Sequence, residues 1–227
     1  MTINDTDLRG QLQAAYRQER DPAALVLDNY MRWKGAPEHL IKVAPEPDES
    51  GRRFVSRHFA VLSYPKNPLF TTYGTLGGSY AVIPNSPRSF GDRRGVRYEY
   101  IMHAPPAHET EVCDLLALVA EHPHRHGVEI GPGYVLPIGE PVVPGSNMEY
   151  LYFTYPYIDD PRMFEGKPQG QIDRPEALVQ WLWVFPIYLS ERNYIRQVGP
   201  EAFEDLLQTR HSEVYDAYEF GRLPVVT

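Results

Sequence analysis

Apolar residues recur along this chain in two rhythms, one spaced as in a helix and one alternating as in a strand. Over residues 6 to 20, Leu8, Leu12, Ala15 and Tyr16 keep the helical spacing, and Asp21-Pro22 closes that helix and opens another. The second helix runs from Ala23 to Trp33, presents Leu25, Val26, Tyr30 and Trp33, and ends at Gly35. The proline-rich stretch Ala44 to Ser50 reads as a linker or exposed turn. Phe54 to Tyr64 alternates only partly, but its aromatic and β-branched content predicts a strand. Leu69 to Ile83 reads as two short strands about a Gly77-Gly78 turn. Val96 to His103 alternates cleanly, with Val96, Tyr98, Tyr100 and Met102 on one face and Arg97, Glu99, Ile101 and His103 on the other.

Beyond Pro105-Pro106 the helical rhythm returns. Val112, Leu115, Leu116, Val119 and Ala120 form a stripe on a helix from Glu109 to about Glu121, with acidic residues in its first turns. Pro123 places the end of that helix near His122. Strands follow at Tyr134 to Ile138 and Tyr150 to Tyr155, then a long polar loop from Ile158 to Glu176. "QWLWVFPIYL" is a buried strand that leads into a helix N-capped by Ser190. Gly199 stops that helix, and Pro200 opens the last, with Phe203, Leu206 and Leu207 inward. This pattern predicts an α+β protein: an N-terminal helical extension over residues 1–35 and a single globular unit over 36–227.

Composition narrows the function classes. The 22 prolines predict short strands, turns and irregular connections. The net charge of −8 disfavours phosphate backbones and anionic lipid, so neither nucleic acid nor a membrane surface is an expected partner. "GDRRGVR" is a dense local exception. The one cysteine, Cys113, excludes an internal disulfide and fits a reducing compartment. The polar, acidic first residues do not read as a signal peptide, and "ALVQWLWVFPIYL" is too short to span a bilayer. The expectation is a soluble, cytoplasmic protein.

The chemistry-bearing motifs each have a plain structural reading. His122, His124 and His126 alternate, which on a strand would aim three imidazoles at one face and suit a metal. Their place at a helix end, beside Arg125, is explained by the helix dipole without an ion, so no metal or cofactor is expected. The glycines of "YGTLGGSY" lead into apolar, β-prone sequence with no lysine, which fits a hairpin turn better than a phosphate cradle. Cys113 lies inside a helix, off the face of His108, without an activating neighbour. Asp159-Asp160, together with Glu99, offers carboxylates for acid–base work only if they converge, and Asp-Asp-Pro is ordinarily a turn opener.

Sixteen tyrosines are the signal most informative about function. Tyr150, Tyr152, Tyr155 and Tyr157 cluster beside Asp159 and Asp160. Facing solvent, they would make an aromatic and acidic partner-binding patch for a basic protein; facing inward, they would be core. Both placements stand open at this point.

An ordered set of segments resembles the Suppressor of fused domain family: "TTYGTL", then "RYEYIMH" with Glu99 two residues after Arg97, then "HETEVCDLLALVAEHP", "GVEIGPGYVLPIG" and "WVFPIYLSERNYIRQVGPEAFEDLL". The pattern spans about Pro37 to Arg222. The resemblance implies a central mixed, largely antiparallel sheet flanked by helices, and protein binding rather than catalysis. Animal members are similar to a clamp on a short peptide of Gli-type transcription factors, built from this domain and a second one. Bacterial stand-alone members look like immunity proteins that neutralise a toxin domain by binding it. The family brings no catalytic motif. The expected function is therefore a non-enzymatic immunity protein. The alternatives are a regulatory adaptor that takes a short peptide at a sheet edge, and a metallohydrolase using the His103, His108 and His124 neighbourhood.

Overall fold

The computed structural model describes residues 23–43, 47, 49–65, 69–83, 95–156, 172–173, 177–210 and 219–226, together with residues 10 and 14. Apart from residues 10 and 14, which are helical, the expected helix over residues 6 to 20 lies outside them, as do residues 84–94, most of the 44–50 linker and most of the 158–176 loop.

Helix α1 (Ala23–Lys34) is followed by strands β1 (His39–Lys42), β2 (Ala60–Pro65) and β3 (Thr71–Leu76), a single 3-10 turn over Gly78–Tyr80, and β4 (Gly95–Ala104). Then come helix α2 (Glu109–His126), β5 (Val135–Pro137), β6 (Tyr150–Thr154), β7 (Ile172–Asp173), β8 (Ala177–Ile187), α3 (Leu189–Val198) and α4 (Pro200–Arg210). The strands form one mixed sheet in the order β1-β2-β3-β4-β8-β6-β5, with β7 also on β8. Among the described strands only the β4–β8 pair is parallel, so the sheet is largely antiparallel as the resemblance implies.

The most apolar segment takes the centre. Val179, Trp181, Trp183, Phe185 and Ile187 of β8 face one side and Leu182 and Val184 the other, all buried, which is how a strand covered on both faces reads in sequence. The first half of β8 pairs with β4 and its second half with β6. Helix α2 covers one face, packing Val112, Leu116 and Val119 against Tyr98, Tyr100, Met102 and Val184. The opposite face carries α1 over Leu62, Ile101 and Trp181, and α3 with α4 over Tyr152, Trp183 and Phe185. Residues 23–34, expected as part of a helical extension, thus pack on the sheet through Val26, Tyr30 and Trp33.

The predicted alternation of β4 holds, and Gly35 ends α1 with φ 83° and its N–H on the Met31 carbonyl. Five local expectations need correction. The strand expected from Phe54 starts at Ala60, because Ser56 first closes a turn, its carbonyl taking Phe59 N–H and its hydroxyl His58 N–H. No second strand follows Gly77-Gly78 before Ile83; the chain coils into the 3-10 turn instead. Helix α2 runs through Pro123 to His126, where Gly127 takes the left-handed conformation and donates to the Pro123 carbonyl. Pro123 is buried, and its packing compensates for the helix hydrogen bond it cannot donate. The cap of α3 is Tyr188, not Ser190: the Glu191 carboxylate reaches back to Tyr188 N–H at 3.0 Å. Residues 172–173, inside the expected polar loop, form the short strand β7.

The glycine of "TTYGTL" has a packing reason. A Cβ on Gly74 would lie 2.5 Å from the Tyr30 hydroxyl and 2.7 Å from the ring carbon that bears it, so α1 sits down on β3 only because this position has no side chain. Gly74→Ala is expected to destabilise the protein by about 1–3 kcal/mol through overpacking. Tyr30→Phe, which removes the nearest atom, should recover part of that loss in a double-mutant cycle read by urea denaturation.

Candidate partner-binding surface and its internal supports

Strand β6 carries Tyr150 and Tyr152, and Tyr155 follows directly after it. Tyr150 and Tyr152 pack with the α3–α4 side of the sheet, whereas Tyr155 lies partly buried on the α2 side. Tyr152 is buried between Phe185 and Phe203, each 5.3 Å away between ring centroids, and donates its hydroxyl to Glu204 at 2.6 Å. Tyr150 is half-buried, with the Arg192 guanidinium 5.7 Å from its ring centre. Tyr157, Asp159 and Asp160 lie outside the described residues. Of the described members, Tyr150 and Tyr155 retain surface for a partner, while Tyr152 anchors α4 to the sheet.

Among the described residues two carboxylates, Glu99 and Glu191, are fully buried, and sequence reasoning did not foresee the role of either. Glu99 on β4 is enclosed by the turn after β3. Its Oε1 accepts from Gly77 N–H at 3.1 Å, Ser79 N–H at 3.0 Å and the Ser79 hydroxyl at 2.6 Å. Its Oε2 accepts from Gly78 N–H at 3.1 Å and the Thr75 hydroxyl at 2.5 Å. Gly77 has φ 95°, and a Cβ on Gly78 would press on Glu99 Oε2 and the Tyr98 carbonyl at 3.2 Å. The Gly-Gly-Ser run is therefore an anion nest whose anion comes from its own chain. The signal was present in the sequence: a glutamate between two core tyrosines of a strand needs donors, and a glycine-rich turn supplies amides. Burial raises the Glu99 carboxyl from 4.5 to about 7, against the opposing pull of the Ser79 and Thr75 hydrogen bonds. With both oxygens occupied and no exposed surface, Glu99 cannot reach a substrate.

Glu191, at the start of α3, meets Arg222 in a buried two-pronged pair of 2.6 and 2.7 Å. It also accepts Tyr188 N–H and Val225 N–H, so the 219–226 segment is latched to the helix. The Tyr188 hydroxyl on the Arg222 carbonyl, Ser190 on the Val226 carbonyl and Ser146 on the Phe220 carbonyl complete the latch.

The histidines are held by separate neighbours. His103 is buried, 3.0 Å from the Thr72 hydroxyl with Trp183 edge-on to its ring. His108 meets Phe220, and His124 stacks on Phe54 within 5° of parallel. His122 and His126 share a face of α2, their ring centres 4.5 Å apart. Among the described residues, no group of three or more His, Cys, Asp or Glu is placed to hold a metal ion. Cys113 is buried, and burial, followed by the Glu109 and Asp114 charges, pushes its thiol up to about 12, far from a reactive thiolate. No described helix is long and apolar enough to cross a membrane.

The sequence profile of the Suppressor of fused protein (SUFU) matches residues 56–217. The fold is similar to that of a SUFU homologue from Neisseria gonorrhoeae, with a TM-score of 0.64 and 16% identity over 92% of this chain and 98% of that one. It is similar to a chain of the Sufu–Fu complex, with a TM-score of 0.60 and 15% identity over 91% of each. Drosophila Suppressor of Fused gives a TM-score of 0.52 and 15% identity over 74% of this chain but 42% of that one. No curated protein matches the chain in sequence.

The two locks make distinct predictions. A carboxyl whose folded-state value lies near 7, above 4.5 when unfolded, is protonated only in the folded protein between those limits. Its stabilising contribution is complete below the lower limit and is lost as pH rises through the upper one. The wild-type unfolding free energy minus that of Glu99→Gln, measured by denaturant titration, should therefore fall from pH 4.5 to 7. Arg222→Ala strands the Glu191 charge and should cost roughly 3–5 kcal/mol. Thermal unfolding and proteolysis of the C-terminal segment both report it.

Proposed function

The chain belongs to the Suppressor of fused family, and we infer that it acts by binding another protein. One observation carries this reading: the polar side chains best suited to chemistry are consumed by the fold. Glu99, Glu191, Arg222 and His103 are buried on internal partners, and Cys113 is buried with a raised thiol. What such a molecule offers is a pre-formed surface. The fold is also that of a chain of the Sufu–Fu complex.

The finer reading is a bacterial immunity protein that covers the functional face of a toxin domain. The likeness to a bacterial homologue and the net charge of −8, suited to a basic toxin that acts on nucleic acid, support it. In this reading the unit over 36–227, with its helical extension over 1–35, works in the cytoplasm, where one unpaired thiol fits. Tyr150, Tyr155, Tyr157, Asp159 and Asp160 form part of the contact face, and Tyr152 supports it from below.

A second reading, an adaptor for short peptides, has its own observation. Strand β5 pairs with β6 on one side, and among the described residues no strand lies against its other side. An unpaired edge can take an extended peptide as a further strand.

Co-expression with the product of the adjacent gene tests the first reading. A complex that survives gel filtration, and rescue of growth from that product, are the expected results. Neither rescue nor complex overturns it. A linear-peptide array separates the readings, since a toxin-covering face needs a folded target and a sheet edge does not.

A further inference from the structure

The last turn of α2 carries a histidine pair that none of the roles described above uses. His122 and His126 stand four positions apart, so their side chains leave the same face of the helix one turn from each other. Their ring centres are 4.5 Å apart and the ring planes are inclined by 38°. His126 is exposed and His122 half-buried. Among the described residues, neither ring enters a hydrogen bond or an ion pair, so in its neutral form each keeps a nitrogen lone pair for a ligand. His124, which lies between them in sequence, stacks on Phe54 instead.

The helix fixes the pair in this register. Pro123, buried between the two positions, pins the turn to the core, and Gly127 caps it with φ 64° and its N–H on the Pro123 carbonyl. The ring spacing is that of a chelate. Two imidazoles bound to one ion at about 90° to each other, with nitrogens about 2.0–2.1 Å from it, bring their ring centres to about 4.5 Å. A tetrahedral angle spreads them beyond about 5 Å. The helix dipole favours cations at this end, but burial, then the His126 charge, lowers the His122 imidazole below its ordinary value, which keeps it neutral and able to ligate at neutral pH. Arg125, on the same turn, is paired with Glu121 at 2.8 Å, so a carboxylate offsets its charge.

We propose that His122 and His126 form a two-donor surface site for a divalent late-transition metal ion of the nickel or copper type, with water in the remaining positions. Imidazole nitrogens suit these ions, and a near-right angle between the donors belongs to their tetragonal geometry rather than to the tetrahedral geometry of zinc. Hard ions such as magnesium require oxygen donors, which the pair does not supply. Because the helix holds both rings in place before the ion arrives, the second donor binds as an intramolecular step. The site shares no residue with the His103, His108 and His124 set weighed for a metallohydrolase, and it does not rest on the protein-binding reading.

Calorimetric titration of the full chain, free of any histidine tag, with nickel chloride at neutral pH tests this, with magnesium chloride as the comparison. Nickel should bind, and His122→Gln and His126→Gln should each lose about tenfold or more in affinity, since either leaves a single donor. His39→Gln, exposed on β1, should leave the affinity unchanged. The pair is in register only in the folded helix, so nickel should also raise the unfolding temperature of the wild type and not that of His126→Gln. His126 is exposed, so its replacement leaves the fold intact and the comparison stands even where His122→Gln is destabilised. Absence of nickel binding, equal affinity in wild type and His126→Gln, a loss in His39→Gln as large as in His126→Gln, or magnesium binding as tightly would overturn the proposal. Failure of the adjacent-gene complex leaves this result untouched, so the two ideas fail separately.

Discussion

A carboxylate taken out of water must find donors, and at Glu99 that requirement organises one end of the sheet. Desolvating a carboxylate costs several kcal/mol, which hydrogen bonds must offset. Five converge here, three from backbone amides and two from hydroxyls. To supply them the chain after β3 coils into a nest instead of turning back as a strand. The nest then orders what surrounds it. The Gly77 carbonyl takes Ser56 N–H, Ser56 shapes the turn before β2, and Phe54 from that segment stacks on His124 at the end of α2. One buried carboxyl group thus connects β3, β4, the segment around Phe54 and the helix on the α2 face.

The Glu191–Arg222 pair works the same way elsewhere in the fold. Four donors surround the Glu191 carboxylate, and the 219–226 segment lies against α3 because three of them, two from Arg222 and one from Val225, need to be there. Such pairs add little net stability compared with a well-packed apolar substitute, but losing one member leaves a charge stranded. Both locks hold neighbouring segments in a defined arrangement.

The tyrosine strand shows how a composition signal divides once it is folded. Tyrosine serves cores and interfaces equally well, since its ring is apolar and its hydroxyl polar. Alternation on β6 sends Tyr150 and Tyr152 to one face, and Tyr155, directly after the strand, packs on the other. Tyr152 finds Glu204 for its hydroxyl, so its polarity serves helix α4. Tyr150, under Arg192, and Tyr155 keep a share of surface.

Local periodicity was enough for much of this protein. It placed α1 and its Gly35 stop, the two faces of β4, the apolar stripe of α2, the buried β8, and the Gly199-Pro200 break between α3 and α4. These features depend on side-chain spacing and on backbone rules that act over a few residues. Tertiary structure decided the rest, because the energies involved belong to pairs distant in sequence. Thr75, Gly77, Gly78 and Ser79 find Glu99 some twenty or more positions away, and Glu191 finds Arg222 thirty-one positions away. Pro123 stays helical because it is buried, and Ala60 begins its strand late because Ser56 is held by Gly77. Alternation and propensity are summed along the chain, whereas desolvation and charge are satisfied across it, and a single sequence does not reveal which distant group will meet that need.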